Sequence, residues 1–195
     1  MDGGLMAEAG IVYLHGFCSS PASWKARLLA EHLTSRGLGD RLLCPTLSPV
    51  PQQAIADVED LLQRAERPLT LVGSSLGGYY ASWLAEKYDL RAVLINPAVQ
   101  APKLLAGLIG EHANFHSGEK FTFTAEDAEQ LRALSPLAVK PSRYLLLVES
   151  GDEVLDYRLA VARFAGCRQT IVHGGDHSFA SFASVLPLIV DFCRL

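Results

Sequence analysis

Long apolar runs are missing from this chain. None approaches the roughly 20 residues that a membrane-spanning helix needs, so no such span is expected. Positive charge is neither abundant nor clustered. Lys and Arg number 17 against 21 Asp and Glu, the net charge is -4, and the basic residues are scattered, which excludes a nucleic-acid-binding surface. The opening stretch Met1 to Gly10 has neither a basic n-region nor an apolar h-region, so it does not read as a signal peptide. Cysteine is sparse and dispersed. Cys18, Cys44, Cys167 and Cys193 form no C-x-x-C pair, and nothing has the spacing of a metal site or a redox motif. Free thiols in a cytoplasmic protein are the simplest reading. Internal repeats, low-complexity tracts and domain linkers are also lacking. What remains is 195 residues, 49% of them hydrophobic, enough for one globular domain over 1–195 with a sizeable core.

One stretch organises the rest. The apolar run Leu69 to Val72 reads as a buried strand, and helix-compatible residues follow from Leu76 to Tyr88. Between them stands Gly73-Ser74-Ser75-Leu76-Gly77, a G-x-S-x-G sequence in the strand–turn–helix context of a nucleophile elbow. The positions two before and two after the corner residue come close together, so they must be small. For Ser75 they are Gly73 and Gly77. For Ser74 they would be Val72 and Leu76, which are too large, and Ser75 is therefore the corner. Gly73 and Gly78 also have the spacing of a phosphate loop, but Tyr79-Tyr80 stand where that loop needs Lys and Ser or Thr.

Strand signals alternate with helical ones along most of the chain. Strands are predicted over 10–15, 41–44, 69–72, 91–95, 143–148 and 168–172, and helices over 22–36, 52–66, 76–88, 156–165 and 179–192, the last with Pro187 inside it. Ser20-Pro21 reads as an N-cap followed by proline at the first helical position. Such alternation implies α/β architecture: about six mostly parallel strands with helices on both faces, the α/β-hydrolase arrangement. Residues 98–140 interrupt the pattern. No clear strand is visible there. Leu104, Leu105, Leu108 and Ile109 suggest a short helix, and Thr124-Ala-Glu-Asp127 a capping-box variant that opens another. This insertion is expected to form a small helical lid, with Leu105 and Leu108 lining a substrate pocket.

A serine hydroxyl needs a base, and the base needs an acid to hold its ring. In this fold both lie on loops after later strands, in the order Ser, acid, His. After the fifth strand comes Glu149-Ser-Gly-Asp152-Glu-Val154; after the sixth, His173-Gly-Gly-Asp-His177. His177 is latest in the chain and sits in the loop. His173 is at the strand end and is expected to face the core or a neighbour. Among four carboxylates, Glu149 is still in the strand, Glu153 should project another way, and Asp156 suits a helix N-terminus. Asp152, after Gly151, is best placed. His15-Gly16-Phe17 follows the first strand, where the N–H of Phe17 and that of Leu76 would form an oxyanion hole. His15 itself reads as structural.

Tyr13-Leu-His-Gly-Phe17 with Ser19-Ser-Pro21, Gly73-Ser-Ser-Leu-Gly-Gly-Tyr79, Ile95-Asn-Pro-Ala98, Gly151-Asp-Glu-Val-Leu-Asp-Tyr157 and Gly174-Gly-Asp-His177 together resemble the YqiA-type esterases of bacteria, a small α/β-hydrolase family. The resemblance covers nearly the whole chain from residue 10. It implies Ser75, Asp152 and His177 as a catalytic triad and hydrolysis of small-molecule acyl esters or thioesters without a cofactor or metal. Cys18 departs from the family pattern, which leads one to expect a small polar residue such as asparagine. Two rivals accompany this reading: an acyltransferase or peptidase on the same residues, and a non-catalytic binding module of hydrolase fold.

Overall fold

The computed structural model describes residues 9–135 and 138–195. The stretch read above for a signal peptide therefore lies almost wholly outside the described residues. In chain order the elements are β1 (Gly10–Leu14), α1 (Trp24–Thr34), β2 (Leu42–Leu43), α2 (Pro51–Gln63), β3 (Leu69–Ser74), α3 (Leu76–Tyr88), β4 (Arg91–Ile95) and α4 (Ala101–Ala106). They continue with β5 (Gly110–Ala113), β6 (Lys120–Phe123), α5 (Ala125–Ala133), β7 (Tyr144–Glu149), α6 (Tyr157–Arg163), β8 (Arg168–Val172) and α7 (Phe182–Cys193). Six strands form one sheet in the order β2-β1-β3-β4-β7-β8, with every neighbouring pair parallel. No helix among the described residues is long and apolar enough to cross a membrane.

The central strands β1, β3, β4 and β7 are buried and apolar at nearly every position because both faces are covered, whereas the edge strand β8 has no buried position. Successive side chains point to opposite faces. Ile11, Tyr13, Val72, Val93, Ile95, Leu145 and Leu147 pack against α1 and α7. Val12, Leu14, Leu71, Leu94, Leu146 and Val148 pack against α2, α3 and α6. α3 runs beneath the sheet centre and is buried over most of its length, from Leu76 to Ser82 without interruption. α7 tolerates Pro187 inside it while burying Phe182, Val185, Leu186, Ile189 and Val190.

Three readings of the sequence need correction. Residues 98–140 are not purely helical: β5 and β6 pair as an antiparallel hairpin. Its turn carries the signals of a loop, since Asn114 Oδ1 accepts the N–H groups of His116 and Ser117, and Gly118 has φ 71°. The strands themselves are four residues each and half-exposed, so their alternation is weak. α4 ends at Ala106, which leaves Leu108 and Ile109 beyond it. α1 begins at Trp24 rather than Ala22, and Ser20 caps a turn instead, accepting the N–H of Ala22 at 3.1 Å. The capping box at Thr124 is present, with Thr124 and Asp127 bonded reciprocally.

The sheet and α3 meet at glycine. A Cβ on Gly77 would collide with the carbonyl oxygens of Leu14 and His15, and one on Gly73 with the backbone of Gly77 and Gly78. Gly77→Ala should therefore destabilise the fold by about 3 kcal/mol or more. Gly107→Ala, at a helix end where the nearest atom would be 3.5 Å away, should stay within about 0.5 kcal/mol of the parent. Urea denaturation of both proteins checks the contrast.

Candidate active site

β3 enters α3 through Ser75, whose backbone has φ 56° and ψ -119°. A serine held there is strained, and the surrounding hydrogen bonds fix it: its N–H donates to Ile95 O and its carbonyl accepts from Gly78 and Ala98, all at 3.0 Å. Ser74 ends the strand with its side chain buried. Leu76 begins α3, so its N–H has no acceptor within the helix and points out of the turn.

The loops after β7 and β8 meet Ser75 at the carboxyl edge of the sheet. His177 Nε2 is 3.0 Å from Ser75 Oγ, and His177 Nδ1 is 2.8 Å from Asp152 Oδ2. Asp152 Oδ1 accepts the N–H groups of Val154 at 2.9 Å and Leu155 at 2.8 Å, which fixes the carboxylate in place. The Asp152 side chain is 1% exposed and that of His177 23%. With Nδ1–H donated to Asp152, Nε2 presents its lone pair to the serine hydroxyl.

The His177 loop has almost no regular structure, so its shape comes from side chains beneath it. Asn96, itself at φ 39°, donates through Nδ2 to the carbonyls of Asp176 at 3.1 Å and His177 at 3.3 Å, and accepts the Glu149 N–H at 2.9 Å. Glu149 is fully buried. Its carboxylate accepts the N–H groups of Asp176, Ala180 and Ser181 at 2.8, 2.9 and 2.8 Å, and the Ser181 hydroxyl as well. Burial would raise its pKa, but these hydrogen bonds outweigh burial and hold it below the usual carboxylate range. Glu153 accepts the His177 N–H at 3.0 Å, so it addresses the main chain of this residue rather than the ring. Asp156 caps α6 and pairs with Arg158, as its position in the sequence implies.

On the other side, His15 is buried with both ring nitrogens satisfied: Nδ1 donates to Gly16 O at 3.0 Å and Nε2 accepts the Leu47 N–H at 3.1 Å. Burial pushes its pKa down, and the Nε2 that accepts from Leu47 carries no proton. Phe17 packs edge-on against His112, Phe121 and Phe123 of the hairpin. The hairpin tip holds the same turn, with Phe115 N–H donating to Cys18 O at 2.8 Å and Asn114 Nδ2 to Ser19 O at 2.7 Å. Cys18 has φ 55°, a conformation that asparagine adopts more readily than cysteine.

A cavity of about 340 Å³ opens on Ser75 and His177, with Leu104, Leu105, Leu108, Phe115 and Val154 among its walls. A second, of about 310 Å³, shares the His15–Phe17 turn and is lined by Thr46, Ser48, Asp57, Asn114 and Glu119. Leu105 is 2% exposed and belongs to the core as well as to the cavity wall, whereas Leu108 is 42% exposed.

The structure thus brings Ser75, Asp152 and His177 together, with Phe17, Leu76, Leu105 and Leu108 around them. His173 is exposed, not packed: Val172 ends β8 half-buried and the chain turns outward there. Asn96 and Lys25 are site residues that sequence reasoning passed over, and Glu149, weighed there only as a partner for the histidine ring, holds the loop instead. For Asn96 the signal was its place in Asn-Pro directly after β4; for Glu149, a carboxylate inside an otherwise apolar strand.

Solved structures share this architecture. Alpha/beta hydrolase domain-containing protein 10 from mouse superposes with a TM-score of 0.69 at 19% identity, over 93% of this chain and 88% of that one. Est1E from Butyrivibrio proteoclasticus gives 0.68 at 15% identity, over 98% and 91%. The esterase domain of a Rhodothermus marinus protein gives 0.68 at 18% identity, over 100% and 89%. At these identities the likeness is one of fold, and the fold is that of the α/β hydrolases. Residues 10–194 match the model described as Uncharacterised protein family (UPF0227), the YqiA family whose motifs the sequence carries, and the chain belongs to that family.

Proposed function

We propose that the chain is a cofactor-free serine hydrolase, a single domain that cleaves carboxylic acyl esters or acyl thioesters through a Ser75–His177–Asp152 triad. The observation that carries this reading is the unbroken hydrogen-bonded path from Ser75 Oγ through the His177 ring to Asp152 Oδ2. Its start, a serine at φ 56° on a strand-to-helix corner, is the geometry of a nucleophile elbow. Est1E and the Rhodothermus marinus esterase domain share the fold. The choice of acyl chemistry rests on the side chains.

In this mechanism His177 Nε2 takes the Ser75 proton as Oγ attacks the acyl carbon. Nδ1–H stays on His177, and Asp152 stabilises the imidazolium that forms. The N–H groups of Phe17 and Leu76 hold the oxyanion. As the tetrahedral intermediate collapses, the bond to the leaving alcohol or thiol breaks and His177 returns the proton to it. A water molecule, deprotonated by His177, then attacks the acyl-enzyme, and Ser75 leaves with its proton restored. The acyl group occupies the cavity under Leu104, Leu105 and Leu108, with residues 98–140 serving as its lid. Four free cysteines suit a cytoplasmic setting.

Ser75→Ala should abolish labelling by a fluorophosphonate probe and lower kcat by about 10⁴- to 10⁶-fold, while Ser74→Ala stays labelled. Labelling that survives in Ser75→Ala refutes the reading. Asp152→Asn should preserve the fold and cut kcat by up to about 10⁴-fold through loss of the tautomer. Glu153→Gln, which touches only the His177 main chain, should cost no more than about tenfold; steady-state kinetics rank the two. Leu108→Asp should impair long acyl p-nitrophenyl esters far more than acetate. Leu105 is the poorer probe because a charge there enters the core.

A further inference from the structure

Lysine is rarely buried without a partner. Lys25, in the first turn of α1, is only 8% exposed. Its Nζ donates to the carbonyl of Ser178 at 2.8 Å, across 153 residues of sequence. It lines the same cavity as Ser75 and His177. Asn96, Glu149 and Glu153 hold the His177 loop from the β4 and β7 ends, whereas Lys25 reaches it from the α1 side.

We propose that Lys25 is a positioning residue for His177, fixing the loop through Ser178 and balancing the carboxylates gathered in and under that loop; this rests on reading His177 as the base. Those groups can be named element by element. Asp152 meets the ring, Glu153 meets the His177 N–H, Glu149 lies under the loop, and Asp176 precedes His177 in the chain. His116 stands at the cavity wall. Carboxylates beside an imidazole favour the imidazolium, a form unable to accept a serine proton, and a cation among them works against that. The ammonium of Lys25 opposes them. Burial is the larger influence on it and Asp176, Glu149 and Asp152 pull the other way, which together leave its pKa lowered to about 8.

A residue that merely filled space could be replaced by methionine without moving a pH profile. The test is kcat/KM against pH for Lys25→Met, Lys25→Gln and Asp176→Asn. Loss of the cation should move the acid limb up by about one pH unit in both Lys25 variants. The plateau kcat of Lys25→Met should fall about 10- to 100-fold with KM little changed. Asp176→Asn should move the limb the other way. Asp176 Oδ1 has no hydrogen-bond partner among the described residues, so Asp176→Asn breaks no hydrogen bond at that atom and should fold, which far-UV circular dichroism checks. An acid limb that stays in place in every folded variant overturns the proposal. The downfield ring N–H resonance of His177, followed against pH by NMR, reports the same shift without substrate. If Ser75→Ala kept full turnover, the hydrolase reading would fall while this resonance still judged the role of Lys25.

Discussion

Everything at the carboxyl edge of the sheet depends on how closely β1 and α3 approach. Only hydrogen fits on Gly77 beside the carbonyls of Leu14 and His15. That contact brings the turn after β1 against the corner of the elbow: a Cβ on Gly16 would stand 3.3 Å from Ser75 Cβ and 3.7 Å from its Oγ. Ser75 and the turn that carries Phe17 are therefore adjacent because two backbones touch, not because side chains reach across. The strained conformation at Ser75 persists because β3, β4 and α3 determine it from three directions.

A second constraint holds the other half of the site. Glu149 places a carboxylate where the sheet is otherwise apolar, and four donors from 176–181 converge on it. The main chain of an irregular loop is thereby satisfied, as buried backbone groups require. Gly175 passes so near this carboxylate that a side chain there would overlap it. The loop is shaped around one buried anion much as a binding site is shaped around a ligand.

The fold was largely legible in the sequence because apolar strands alternate with amphipathic helices, and a parallel sheet covered on both faces follows from that pattern. Ser75, Asp152 and His177 stood out as candidates because each follows a strand end in a loop bearing glycine. What escaped notice was less periodic. β5 and β6 are short strands of modest alternation, and their stability comes from Phe17 and from each other. Ser20-Pro21 had the composition of a helix start, but α1 begins three residues after Pro21. The position of His173 at a strand end suggests the core or a packed neighbour, but β8 is the edge strand of the sheet among the described residues and His173 is exposed. Asn96, Glu149 and Lys25 act through the main chain of residues 27 to 153 positions away, and no local pattern encodes such partners.

These long separations bear on how the molecule comes into being. Ser75 and His177 are 102 residues apart, and a parallel sheet cannot close such distances by hairpins. During synthesis the elbow, with β1, β3 and α3, leaves the ribosome well before the loop of 173–181 exists. A nascent chain therefore carries a serine corner with no imidazole beside it. On the proposed reading, the corner serine gains its base only when β8 docks on β7 and brings the loop after it over the sheet edge; until then the elbow is no more than a strained turn.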